Sequence, residues 1–335
     1  MTLEQIISEL HYTNEVEKEV LRKIQRDKKH VDELARIAYQ ADNFDFSLCK
    51  RMPLTRLSVV TYLLINKYDE YKAKGVPDRI IFDTFRDVSL RATLYYRKTS
   101  RVGISKEDVI WFRHIMNVDI FKIGCLQFQP FRMIYLDEET VGEPYMSFTE
   151  EQKKSLPVGS LVLNCHIQQG ADLSPESVDF SFRTAKSFFM VCFPKEQYKA
   201  FLCYSWLLYQ PMLKRLSEDS NIKQFAGRFS IIGACSDSEQ AREFLFRDGT
   251  RKEISAKATF LQKLALKHPT ELGFACGIIT IQPHLLFHIT TQLNPKNQTA
   301  DPRRVRTVSG LFSPKIKKGA TTHDKEENAA DHRGM

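Results

Sequence analysis

The apolar pattern of this chain changes period at Asp119, and that change decides what it can fold into. Up to about residue 116 the period is helical: Leu3, Ile6, Ile7 and Leu10 recur at i, i+3, i+4 and i+7. VDELARIAYQADNF and LTRLSVVTYLLINKYDEYKAKG continue it, the second stopping at Gly75 with Pro77 beyond. PDRIIFDTFRDVSLRATLYYRK opens with a proline in a first turn, and Ser105 with Asp108 makes a capping-box pattern ahead of SKEDVIWFRHIMNV. Helices joined by short polar links predict a helical domain over 1–116.

From Asp119 the period falls to two. DIFKIGCLQFQPFRMIYL alternates bulky and polar residues and reads as two antiparallel strands meeting near Gln129-Pro130. Strands are then expected at Ser160–Ile167, Lys199–Leu207 and Gly227–Ala234, separated by helices at Pro175–Cys192 and Gln210–Leu216. A helix near Ser238–Phe246, another in SAKATFLQKLALKHP and a last apolar run, GFACGIITI, complete the series. Strands alternating with helices predict a mixed sheet domain over 117–282, so the fold class is α+β. The 335-residue length suits two cores. Beyond 282 apolar residues are few and no period remains, which predicts a disordered basic tail over 283–335.

The net charge of +8 is weak evidence for nucleic acid. Residues 291–335 hold nine Lys/Arg and five Asp/Glu, so half of the excess lies in the tail, and no nucleic-acid-binding signature accompanies it. No apolar run nears the roughly 20 residues of a membrane span. The amino terminus carries early acids and lacks the basic and apolar regions of a signal peptide. A cytoplasmic protein is expected. Seven scattered cysteines, with no CxxC pair, fit buried free thiols in a reducing compartment and indicate neither zinc nor disulfides.

Three segments carry a resemblance to a family. Asp119–Phe128 (DIFKIGCLQF) is similar to a hairpin written lF+lGrLQfe. Leu163–Gly170 with Leu173-Ser174 resembles a strand and loop written l.vHIP.G.pLs. Phe201–Leu208 (FLCYSWLL), running to Ser220-Asn221-Ile222, resembles f.C.SWLLdp followed by SNI. The family is one of bacterial acyltransferase-domain proteins with a helical amino-terminal domain and a GNAT-like carboxy-terminal domain. Residues 111–235 carry the match. Gln168 stands where that pattern has proline, and Tyr209 where it has an acid.

The resemblance implies acyl transfer from acetyl-CoA or another acyl-CoA, without a metal, to a small-molecule or peptide amine acceptor. In such folds the loop between a central strand and the next helix holds the cofactor's pyrophosphate on free backbone amides. Ile167, Gln168, Gly170 and Ser174 occupy that place, with Gly170 able to bring backbone close to phosphate. The usual glycine-rich pattern is absent, Asp172 would repel a phosphate if it pointed inward, and an ordinary strand-to-helix turn explains the same residues. His166, ending the strand, is the candidate base, since imidazole titrates near neutrality; its alternative is a packed, hydrogen-bonded histidine. Tyr204 and Tyr209 are candidate acids for the departing thiolate, and core packing is their alternative. Ser205 and Trp206 are candidates for lining an acyl pocket, and Asn221 for touching substrate, unless it only caps a helix. Two functions stand side by side. One is an acyl-CoA-dependent N-acyltransferase whose acceptor lies between the two domains; the other is a catalytically silent GNAT-like module that senses a ligand or holds a protein partner. Nothing in the sequence fixes the oligomeric state.

Overall fold

The computed structural model describes residues 1–40, 43–44, 46–142, 145–246 and 258–281; the tail from 282 onward lies outside the described residues. Seven helices come first: α1 (Leu3–Leu10), α2 (Asn14–Arg26), α3 (Lys28–Ala38), α4 (Pro53–Ala73), α5 (Asp78–Thr99), α6 (Lys106–Trp111) and α7 (Arg113–Met116). The helix expected over VDELARIAYQADNF stops at Ala38, where the chain enters a two-residue ribbon, β1 (Tyr39–Gln40) with β2 (Asn43–Phe44). Ile6, Ile7 and Leu10 are buried as their spacing demands. The capping box of α6 forms, with Ser105 Oγ accepting from the Asp108 N–H and Asp108 Oδ2 accepting from the Ser105 N–H, both at 3.0 Å.

The second part is a six-stranded mixed sheet in the order β3-β4-β5-β6-β8-β7. Its strands are β3 (Phe121–Ile123), β4 (Leu126–Arg132), β5 (Leu161–His166), β6 (Ala200–Ser205), β7 (Ser230–Cys235) and β8 (Phe274–Thr280). The hairpin turns at Gly124-Cys125, and Gln129-Pro130 lies inside β4 instead of at its turn. β3 pairs only as far as Phe121–Phe128, so Pro130 meets a ladder on one side alone, a place where a missing N–H is tolerated. Gly124 takes φ +63, and a Cβ there would run into Ser181 Oγ.

Among the described residues β5 and β6 form the one parallel pair of this sheet, with Leu163 opposite Phe201 and Asn164 opposite Leu202. The paired register ends there, just before Cys165, whose thiol still meets that of Cys203 across the pair. Two short helices, α8 (Glu138–Val141) and α9 (Glu150–Ser155), lie between β4 and β5. Helix α10 (Pro175–Cys192) covers one face of the sheet, with Phe128, Leu163, Cys165, Phe201 and Cys203 in the core beneath it. On the other face, Val162, Leu202 and Tyr204 pack with Met133, Tyr135 and Leu136. Four shorter helices follow α10 among the described residues: α11 (Gln210–Leu213), α12 (Asn221–Ala226), α13 (Glu239–Phe246) and α14 (Phe260–Lys267).

The two parts are joined by buried hydrogen bonds as well as apolar area. Tyr71 of α4 donates to the Ile120 carbonyl at 3.0 Å, and Thr84 of α5 accepts from the Lys122 N–H at 2.8 Å. Phe121 packs edge-on against Tyr71. Burying side chains of this size contributes about 1.5–3 kcal/mol each.

Candidate active site

Alternation along β4 and β5 gives the sheet a polar patch where its neighbours are apolar. Gln127 lies opposite His166, and Gln129 opposite Asn164. Helices α5 to α7 lie over this patch and bring their own polar groups to it. His166 is 4 % exposed. Its Nε2 lies 3.0 Å from Gln129 Oε1, while Gln129 Nε2 lies 2.9 Å from His114 Nδ1. His114 Nδ1 is also 3.3 Å from Asp119 Oδ1. Trp111 stands edge-to-face with both imidazoles, its ring centroid 5.2 Å from each.

A second group of buried polar residues adjoins the first. Trp111 Nε1 donates to Asp87 Oδ2 at 2.7 Å, and Gln127 Nε2 donates to the same oxygen at 3.3 Å. Arg91 donates to Asp87 Oδ1 at 3.1 Å and to Asp108 Oδ1 at 2.8 Å, with its guanidinium 5.2 Å from the Trp111 ring centroid. Burial pushes the His166 pKa down to about 3, helped by His114 and Arg91 and opposed by Asp87. The imidazole is therefore neutral throughout the physiological range.

A cleft of about 410 Å³ opens beside these groups. Its walls come from both parts of the chain: Asp87, Arg91 and Asp108 from the helices, Gln168 and Gln169 from the loop after β5, and Glu243 from α13. Among the described residues, no group of three or more His, Cys, Asp or Glu is placed to hold a metal ion.

The loop NCHIQQGADLSPES makes a left-handed turn at Gly170, φ +78, with open space where a Cβ would be. Ile167 is buried in the core, and Gln168 reaches the cleft. Ser174 is the N-cap of α10 and Pro175 its first residue. Asp172 is exposed and folds back over that helix end. Its carboxylate accepts from the Ser174 N–H at 3.0 Å, from Ser174 Oγ at 3.0 Å and from Ser177 Oγ at 2.6 Å. Burial alone would raise its pKa, but these hydrogen bonds from Ser177 and Ser174 hold it below the usual carboxylate value.

The other sequence candidates are dispersed. Tyr204 is buried, and its hydroxyl donates to the Ile134 carbonyl at 2.9 Å; burial drives its pKa far upward. Tyr209 lies against Gly273, where any side chain would strike its ring. Ser205 Oγ accepts from the Leu207 N–H at 3.1 Å. Trp206 is buried beside it, and Asn221 is exposed at the start of α12. Sequence reasoning missed Asp87, Arg91, Trp111, His114, Gln127 and Gln129. The signal for the last two was present, since glutamines two apart in an otherwise apolar strand place two amides on one buried face.

Residues 1–118 match the N-acyltransferase N-terminal domain, and residues 120–279 match the GNAT-like C-terminal domain. The chain belongs to this two-domain acyltransferase family. Solved structures of the same architecture include an acyltransferase in complex with decanoyl-CoA and teicoplanin. It is 16 % identical, with a TM-score of 0.61 over 84 % of this chain and 88 % of that one. A mutant acyltransferase in complex with octanoyl-CoA is 17 % identical, with a TM-score of 0.61 over the same shares. A complex with decanoyl-CoA alone is also 17 % identical, with a TM-score of 0.60 over 83 % of this chain and 87 % of that one. At these identities the likeness is one of fold. None of the curated proteins is detectably similar to the chain. No helix among the described residues of this family member is long and apolar enough to cross a membrane.

Proposed function

We propose that the protein transfers an acyl group from acyl-CoA to an amine held in the cleft between the helical part and the sheet. The observation that carries this reading is the cleft itself, which Asp87, Arg91 and Asp108 of the helices share with Gln168 of the loop that follows the buried His166. The solved structures that share the fold hold decanoyl-CoA or octanoyl-CoA, which supports a long acyl thioester as donor.

In the proposed reaction the amine nitrogen attacks the thioester carbonyl carbon. His166 accepts the proton released from that nitrogen, the C–S bond breaks, and coenzyme A leaves as a thiolate. The protonated imidazole then returns its proton to the thiolate, giving amide and free coenzyme A. The depressed pKa departs from the near-neutral titration expected of this base. The neutral ring is a weaker base toward the amine than an ordinary histidine, and its imidazolium a stronger acid toward the thiolate. Gln129, fixed by His114, sets which way the ring faces. The phosphates are assigned to the loop around Gly170 and the amides at the start of α10. Tyr204 has no part in this scheme, since its hydroxyl is held by the Ile134 carbonyl.

Asp172 favours a second reading, that of a catalytically silent module. Its carboxylate stands at the end of α10, accepting from the Ser174 N–H and the Ser174 and Ser177 hydroxyls, where its charge would repel a phosphate. The two readings separate on thermal unfolding with and without acetyl-CoA, octanoyl-CoA and decanoyl-CoA. The acyltransferase reading expects the melting temperature to rise with at least one ester, by linkage. No rise with any of them at millimolar concentration would leave it without support.

A further inference from the structure

Trp206 follows β6 directly and opens a short 3-10 turn, Trp206–Leu208. It is 2 % exposed, and among the described residues its indole N–H has no hydrogen-bond acceptor. The Trp206 main-chain N–H donates to Gln240 Oε1 at 3.0 Å. That bond fixes the Gln240 amide and directs its Nε2 elsewhere, and this second donor is likewise buried with no acceptor among the described residues. Leaving a buried N–H unpaired costs about 1–3 kcal/mol, so two such donors on residues already bonded to each other call for a common explanation.

Their place in the fold supplies one. The parallel register of β6 with β5 ends at Asn164–Leu202, four residues before Trp206, and the loop that leaves β5 carries Gln168 to the cleft. Gln240 belongs to α13, whose Arg242, Glu243 and Phe246 line the same cleft. The donors therefore stand at the end of β6, beside the helix that borders the cleft, and His166 ends the neighbouring β5. Both are neutral, and together they suit an uncharged oxygen with two lone pairs better than a phosphate.

We infer that Trp206 Nε1 and Gln240 Nε2 bind a carbonyl oxygen of the acyl-CoA arm. This rests on the acyltransferase reading above and adds the site that orients the donor. Two carbonyls of the arm share this chemistry, the thioester itself and a pantetheine amide.

The experiment measures calorimetric binding of octanoyl-CoA, its S-octyl thioether analogue and free coenzyme A to the full-length protein. Wild type is compared with Trp206→Phe, which removes the indole N–H, and with Gln240→Glu, which keeps the oxygen facing Trp206 and removes the amide donor. Far-ultraviolet dichroism first checks that each variant is folded, and either folded variant alone suffices. Octanoyl-CoA should bind about fivefold to tenfold more weakly to the variants, the size expected for one lost neutral hydrogen bond. If the thioether and free coenzyme A keep their affinity, the oxygen is the thioester's; if all three weaken together, it is a pantetheine amide's. Affinities unchanged for every ligand would overturn the inference while leaving the acyltransferase reading standing. A wild-type protein that binds none of the three overturns both.

Discussion

His166 Nε2 stands 3.0 Å from Gln129 Oε1, and this bond ties the end of β5 to the middle of β4. Gln129 in turn lies 2.9 Å from His114, which the helical part supplies. The orientation of the candidate base thus depends on residues from both parts of the chain. A glutamine amide does not relay a proton through this path, so its role is one of positioning.

Replacing His166 with Gln should lower kcat for acyl transfer by roughly 10²- to 10⁴-fold, the usual contribution of a positioned base. The affinity for octanoyl-CoA should be little changed. Steady-state kinetics with an amine acceptor, together with calorimetry, test both statements. A variant that keeps wild-type kcat removes His166 from the mechanism.

Gln129→Met preserves volume but leaves the imidazole unheld. Misorientation of this order costs up to about 100-fold in rate, so kcat should fall while KM for acyl-CoA stays near its wild-type value. A rise in KM alone would mean that Gln129 serves substrate binding.

Stability should fall on acidification, beginning near neutrality. The His166 pKa is about 3 in the folded protein and near 6.5 when unfolded, so between these values the unfolded chain binds more protons. His166 therefore adds a slope in which stability decreases as pH drops from 6.5 toward 3. Urea unfolding of wild type and His166→Gln at pH 7 and pH 5 measures it, and the variant should lose less stability across that interval. Equal losses would place the acid sensitivity elsewhere.

Asp87 accepts from Trp111, Gln127 and Arg91 at once. Asp87→Ala removes the acceptor shared by these three donors and should destabilise the protein by about 3 kcal/mol, the low end for a broken buried pair, because Arg91 keeps Asp108. Thermal unfolding reads this directly. A loss within experimental error would show that the interface tolerates the unpaired groups.

Two glycine substitutions should differ in a defined order. Gly170→Ala pays only for its left-handed backbone, about 1 kcal/mol, because the space beside it is open. Gly124→Ala bears that cost and also collides with Ser181 Oγ, which accepts from the Cys125 N–H at 2.9 Å. Melting temperatures should fall in the order wild type, Gly170→Ala, Gly124→Ala, and the reverse order for the two variants would contradict the packing of the hairpin on α10.

The sequence by itself determined the parts. The change of period at Asp119 separates helices from sheet. The span of α10, Pro175–Cys192, was legible because a Ser-Pro start and a 3.6-residue period are local properties. The resemblance in FLCYSWLL and NCHIQQG pointed to the family and to His166. Local pattern failed where the cause lay at long range. Pro130 marked a turn in the sequence, yet it sits within β4 because β3 is too short to pair there. Only the tertiary structure decided the surroundings of the site. It brought Asp87, Trp111 and His114 over Gln127, Gln129 and His166, turned the Tyr204 hydroxyl to a main-chain carbonyl, and folded Asp172 over the end of α10. A residue's type fixes which bonds it can make; its partners and its desolvation are set by chain segments tens of residues away, and no local period records them.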